Sequence, residues 1–184
     1  NVTVSLERAI EADESVELDS YINRQATTVT SMTGELTWRT ERGVVTVDTP
    51  RAQGACGFLG GAGRIDLGSV VIESENEYAV VLVVSLDGKP LAASGKILIQ
   101  AATEDLYYGF ATEAKGTFRK VTSRGGYPLN VKRIKACVTL KGRAGETVVL
   151  DANGYPTDRA CVTAPDGGDL VIDLPEDALY TVVQ

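Results

Sequence analysis

The stretch V-T-V-D-T-P-R-A-Q-G-A-C-G-F-L-G-G-A-G-R, Val45 to Arg64, decides the fold. It opens on alternating apolar and polar residues, then places five glycines between Gly54 and Gly63. A phosphate-cradling loop needs its glycines followed at once by Lys and Ser/Thr at the start of a helix. Here Gly60 and Gly61 lead to Ala62, Gly63, Arg64, Ile65 and Asp66. A dinucleotide-binding turn also needs a helix whose first amides meet the pyrophosphate. After Gly63 the chain runs R-I-D-L-G-S-V-V-I-E, alternating and rich in β-branched residues, which reads as strand. The nucleotide reading therefore fails. Glycines inside a packed sheet mark bulges or the close approach of two backbones. With apolar Ala55, Cys56, Phe58 and Leu59 among them, Gln53 to Gly63 reads as a core strand that turns a corner through Gly60, Gly61 and Gly63.

Working outward, the period stays at two. Glu35–Arg39, a short turn with Gly43, and Val44–Asp48 form a hairpin signature. Further strand candidates are Val16–Leu18, Thr27–Thr30, Ala55–Phe58, Ser69–Glu73, Tyr78–Ser85, Lys96–Ala102, Gly116–Thr122, Lys132–Leu140, Thr147–Leu150, Ala160–Thr163, Asp169–Leu174 and Leu179–Val183. Turn residues separate them at Asp87–Pro90, Lys141–Gly145, Ala152–Pro156 and Pro165–Gly168. Short strands at this spacing predict one all-β domain over residues 1–184, an antiparallel, jelly-roll-like β-sandwich. Only L-E-R-A-I-E-A-D-E-S, Leu6 to Ser15, offers a turn or two of helix. The chain starts at Asn1 without Met or signal peptide, which reads as a piece excised or processed from a larger protein.

Composition narrows the chemistry. The 184 residues carry 18 Lys and Arg against 25 Asp and Glu, a net charge of −7. An acidic surface without long blocks of either sign argues against nucleic acid and anionic membranes as partners. The longest apolar run, Ala79 to Val84, is far shorter than the roughly 18 residues of a membrane span. Histidine is absent, which removes Ser-His-Asp and Cys-His nucleophile systems and His-ligated metals. Cys56, Cys137 and Cys161 are too few for a thiolate zinc site. They leave two options: one disulfide with a leftover thiol, or three free thiols packed as small hydrophobes.

Three constellations remain. Carboxylates at strand ends and faces (Glu35, Asp48, Glu73, Glu75, Glu77 and Asp173) are the raw material of glycoside hydrolysis, but none has the aromatic surroundings that would raise a pKa. Catalysis by the chain is therefore not expected. In D-A-N-G-Y-P-T-D, Asp151, Asn153 and Asp158 suggest the start of a calcium loop, yet the terminal Glu is missing and Asn-Gly is what a hairpin turn requires. A structural calcium is the one cofactor this segment allows. Aromatics are the third constellation, since sugar rings stack on exposed aromatic faces. Tyr107 and Tyr108 are adjacent, so they cannot both face inward on a strand. Tyr127 and Tyr155 precede prolines in turn contexts. Trp38, in phase with Leu36, reads as core before platform, and Arg124 is the nearby donor for hydroxyls.

The segment S-M-T-G-E-L-T-W-R-T-E-R-G-V-V-T-V-D-T-P-R-A-Q-G-A-C-G-F-L-G-G resembles a T-G-E-L/I-x-W…D-T-P-R-x-Q-G pattern in large bacterial polysaccharide-degrading proteins, where it lies in a β-rich region after a TIM-barrel glycoside hydrolase domain. A-V-V-L-V-V-S-L-D-G-K-P-L-A-A-S-G-K-I-L-I-Q-A, V-V-L-D-A-N-G-Y-P and L-P-E-D-A-L-Y-T-V-V fit the same resemblance, from about Val16 onward. It departs at Leu106–Gly109, L-Y-Y-G, where an E-N-T-G-like turn is usual. The resemblance implies a non-catalytic carbohydrate-binding module, extracellular or periplasmic, whose partners are a polysaccharide and the catalytic domain of its own chain. Its alternative is a structural sandwich that buttresses the neighbouring barrel without touching sugar.

Overall fold

The computed structural model describes residues 18–184, so the helical turn expected in Leu6–Ser15 and most of the Val16–Leu18 strand candidate lie outside the described residues. The strands are β1 (Ile22–Asn23), β2 (Thr28–Thr30), β3 (Leu36–Arg39), β4 (Val44–Asp48), β5 (Ala52–Gly57), β6 (Ile65–Asp66), β7 (Val70–Ser74), β8 (Ala79–Ser85) and β9 (Ile97–Thr103). They continue as β10 (Asp105–Tyr108), β11 (Ala111–Lys115), β12 (Phe118–Ser123), β13 (Gly126–Val131), β14 (Ala136–Leu140), β15 (Thr147–Leu150), β16 (Val162–Asp166), β17 (Asp169–Asp173) and β18 (Tyr180–Val183). Among the described residues helix is limited to single 3₁₀ turns at Asp19–Tyr21, Leu59–Gly61 and Leu91–Ala93. The protein is an all-β antiparallel sandwich.

One sheet has nine strands in the order β1-β2-β3-β4-β5-β8-β9-β18-β15, and the other has five, β16-β17-β14-β7-β6. The chain crosses between them six times, so the two sheets are interleaved along the sequence. Val44, Ala55, Val81, Val83, Ile97 and Ile99 from the large sheet meet Ile65, Val70, Ile72, Val138, Leu140 and Ile172 from the small one in a single core. Isoleucine and valine dominate because β-branched side chains pack well on a pleated surface.

The glycine stretch is the first crossing. β5 runs through the buried Gly54, Ala55 and Gly57, then the Leu59–Gly61 turn carries the chain into β6 of the facing sheet. Gly57 has φ +130°, and a Cβ there would stand 2.0 Å from the carbonyl oxygen of Gly43. Only glycine fits, which is the close approach read from the sequence. Two side-chain amides brace the corner. Gln53, 3% exposed, donates from Nε2 to Asp48 Oδ1 (2.8 Å) and accepts at Oε1 from the Ser69 N–H (2.8 Å). Asn76 donates to the Arg133 carbonyl (2.9 Å) and accepts from the Lys135 N–H (2.7 Å).

The large sheet is apolar on its outer face as well. Cross-strand register aligns Ile22, Val29, Trp38, Val45, Cys56, Val80 and Ala102 in one row. A second row holds Leu36, Val47, Gly54, Leu82, Gln100, Tyr180 and Leu150. Neither row contains a charge. Two expectations are corrected here. Trp38 and Leu36 do share a face, but it is the outer one, at 48% and 45% exposure, and Phe58 is 52% exposed rather than packed inside. The inner positions opposite them are taken by Thr37, Thr46 and Gln53. Alternation reports which residues share a face, not which face is covered.

Candidate functional site

Between β9 and β14 the chain leaves the sandwich as a ribbon. β10 pairs with β13 and β11 with β12, and neither pair joins either large sheet. Every residue of these four strands is exposed except Thr112, which is half-buried. At about 3.4 Å per residue the ribbon reaches up to roughly 40 Å from its base. The base is closed tightly. The Lys132 N–H donates to the Glu104 carbonyl (3.0 Å), the Thr103 hydroxyl donates to the Lys132 carbonyl, and Lys132 Nζ meets Glu104 Oε2 at 2.7 Å. The hydrogen bond from Glu104, followed by its charge, raises the Lys132 pKa above its ordinary value.

Halfway along, the ribbon bends at Gly109 and Gly125. The Phe110 N–H closes a turn on the Tyr107 carbonyl (3.0 Å), and the pairing shifts register between Tyr107 and Tyr108. Gly125 has φ +66°, with space for a Cβ denied by the Tyr108 carbonyl oxygen at 2.4 Å.

Register decides which candidate residues meet. Tyr107 pairs across with Leu129, two residues from Tyr127, and the Tyr107 and Tyr127 rings pack edge to face with centroids 5.4 Å apart. Tyr108, next in the strand, points to the other face. A shallow cavity of about 310 Å³ opens beside the pair, lined by Asp105, Leu106, Tyr107, Phe110, Arg124 and Leu129. Four sequence candidates thus stand on one ribbon, Tyr107, Tyr108, Tyr127 and Arg124, with Tyr127 at 82% exposure. The cavity offers an apolar wall, a carboxylate and a guanidinium.

The other candidates lie elsewhere. Trp38 is on β3, on the sandwich itself, which also carries Phe58 and Tyr78, whose rings pack edge to face at 5.6 Å. The sequence pattern hides this second aromatic pair because Phe58 lies in the glycine stretch assigned to the core. Tyr155, 69% exposed, sits in the turn after β15. There Asp151 Oδ1 accepts from the Asn153 and Tyr155 N–H groups at 2.8 and 2.9 Å, and Gly154 adopts φ +85°. That carboxylate is already engaged in holding the turn. Among the described residues no three of His, Cys, Asp and Glu gather as metal ligands, and Asp158 has no such company.

Three of the six carboxylates singled out in the sequence, Asp48, Glu73 and Glu75, have side-chain partners in the fold. Asp48 binds Gln53 and the Gly68 N–H, and Glu75 pairs with Lys135 at 3.9 Å. Glu73 and Asp173 flank Cys137 on neighbouring strands of the small sheet, beside a depression of about 590 Å³. Burial, aided by those two carboxylates, pushes the Cys137 thiol up to about 11. Cys56, Cys137 and Cys161 are all free and half-buried. No protein-family model, curated protein or solved structure matches the chain.

Proposed function

We propose that this chain is a non-catalytic carbohydrate-binding module that holds a polysaccharide for an attached glycoside hydrolase outside the cytoplasm. The observation that carries the reading is the exposed Tyr107–Tyr127 pair beside the cavity of Asp105 and Arg124. Two rings set edge to face present one ring face to a pyranose while the other buttresses it. Their C–H-to-ring contacts are worth about 1 kcal/mol per ring, by analogy with aromatic pairs. Asp105 accepts from, and Arg124 donates to, the hydroxyls around the ring. With Tyr108 on the opposite face the ribbon gives roughly −4 to −8 kcal/mol, millimolar to micromolar affinity.

Affinity electrophoresis across a panel of soluble polysaccharides tests it. Retardation of the unaltered protein by at least one polymer, lost in the Tyr107→Ala/Tyr127→Ala variant with its melting temperature intact, is the expected outcome. No retardation by any polymer removes the proposal.

A second reading is favoured by the uncharged outer face of the nine-stranded sheet, where Leu36, Trp38 and Val45 are exposed. Contiguous apolar surface of this kind serves contact between domains. On this reading the sandwich buttresses a neighbouring catalytic barrel, and sugar binding is absent.

A further inference from the structure

The charge on the ribbon is opposite to that of the chain. From Ala111 to Arg124 it carries Lys115, Arg119, Lys120 and Arg124 against the single carboxylate Glu113, a net of +3 in a protein whose total is −7. Eight described cations outside this stretch have acidic partners, among them Arg133 with Glu176 at 2.9 Å, Lys132 with Glu104 at 2.7 Å, Lys141 with Asp66 at 2.5 Å and Arg159 with Asp177 at 2.7 Å, while Arg39, Arg42, Arg51, Lys96 and Arg143 are spread singly over the sandwich without one. None of the four ribbon cations has a carboxylate partner among the described residues.

Register places two of these cations and the one carboxylate on a single face. Glu113 pairs with Lys120 and Lys115 with Phe118, so Glu113, Lys115, Lys120 and the 76%-exposed Phe118 ring share one face. Lys115 lies diagonal to Lys120, about 7–8 Å away, and Glu113, directly opposite Lys120, is the one counter-charge on that face. Arg119 occupies the other face beside Ala114. Arg124 stands where the basic half of the ribbon meets the tyrosine half, in the wall of the cavity with Tyr107.

We infer that the ligand is an anionic polysaccharide, a uronate or sulfated glycan, bound along the ribbon, with a sugar ring at Tyr107–Tyr127 and its acidic groups on Arg124 and the cations beyond. The inference rests on the sugar-binding proposal for the same ribbon and names its substrate class. Arg124 is placed for the first acidic group, because a planar guanidinium grips carboxylate or sulfate with two parallel hydrogen bonds. Lys115 and Lys120 act as point charges further out. A glycan fits better than duplex nucleic acid, because the acidic body of the protein repels a duplex that carries one charge per about 1.7 Å of its axis.

The test compares polygalacturonate with its fully methyl-esterified form, the same polymer without charge, by calorimetric titration of the whole chain at two salt concentrations. The acid form is expected to bind at least about tenfold more tightly than the ester, and to lose about that factor between roughly 0.05 and 0.5 M NaCl as exposed charges are screened. Sulfated galactan and alginate serve as further anionic probes. Lys115→Gln/Arg119→Gln/Lys120→Gln should remove most of the acid-over-ester preference while leaving the melting temperature unchanged. Equal affinity for acid and ester, with no salt response for any anionic polymer, overturns the anionic ligand but leaves the sugar-binding proposal standing. Binding to no polysaccharide overturns both. Tighter binding of single-stranded DNA than of any glycan overturns the inference in favour of nucleic acid.

Discussion

Trp38 and Tyr107 are almost equally exposed, at 48% and 42%, yet they stand on different kinds of backbone. Trp38 lies on a sheet whose other face is packed into the core, so its strand is held whatever happens to the ring. Tyr107 lies on a two-stranded ribbon with no buried residue, and such ribbons are marginal in water on their own. An exposed aromatic on a rigid sheet marks a surface that fits one partner by shape. An aromatic on a bare ribbon is kept by its neighbours on the ribbon and by whatever it binds.

The comparison is broken most directly from the sandwich side. Ile172→Ala removes a fully buried side chain between the two sheets and should cost about 2–5 kcal/mol in urea denaturation. Tyr107→Ala, made in parallel, should stay within about 0.5 kcal/mol of the unaltered protein. A ribbon substitution that destabilises as much as the core one would mean the ribbon belongs to the cooperative unit.

Gly125→Ala sharpens the division between stability and binding. Its Cβ would strike the Tyr108 carbonyl in a left-handed conformation that costs alanine about 1 kcal/mol or more. The bend should open and separate Tyr107 from Tyr127. Polysaccharide affinity is expected to fall roughly tenfold, about 1.4 kcal/mol, while the melting temperature moves by less than about 2 °C.

On the outer face, Trp38→Ser should change folding stability by no more than about 0.5 kcal/mol. It should visibly lower binding of a hydrophobic dye and leave polysaccharide retardation unaltered. Loss of retardation instead would move the sugar site from the ribbon to the sheet.

The smallest effect is a pH response. The Cys137 thiol is raised to about 11 by burial, against an ordinary value of 9.0. A raised pKa means the unfolded chain ionises first, so this thiol's contribution to stability is flat below about pH 9 and declines as pH climbs toward about 11. Alkylation by iodoacetamide at about pH 8 should be slow, and Cys137→Ser should flatten the decline of the melting temperature between about pH 9 and 11.

The body of the sandwich is legible in sequence because its strands alternate against one core. Val44–Asp48, Thr147–Leu150 and the corner through Gly60 and Gly61 lie where the pattern puts them. Three of the ribbon's four strands, β10, β11 and β13, escape the pattern. With both faces in water, Asp105-Leu106-Tyr107-Tyr108 shows no alternation, and triplets such as Leu129-Asn130-Val131 that do alternate are too short to mark a strand. The reading of Lys132–Leu140 as one strand fails for the same reason: it joins the end of the ribbon to β14 across the buried Ile134. Exposure of the tyrosines can be argued from adjacency and turns. The contact between Tyr107 and Tyr127 cannot, since it depends on a pairing register between segments about twenty residues apart in the chain.

The ribbon leaves and re-enters the sandwich through one neck, where Thr103 and Glu104 are fastened to Lys132. Everything beyond that neck is, for the folding of the rest, a loop, and the entropic cost of closing a loop grows only with the logarithm of its length. The fold therefore treats the ribbon as a replaceable fitting. Its length, aromatic placement and charge are free to vary without re-solving the core, and the same sandwich can carry a different ribbon in the same socket.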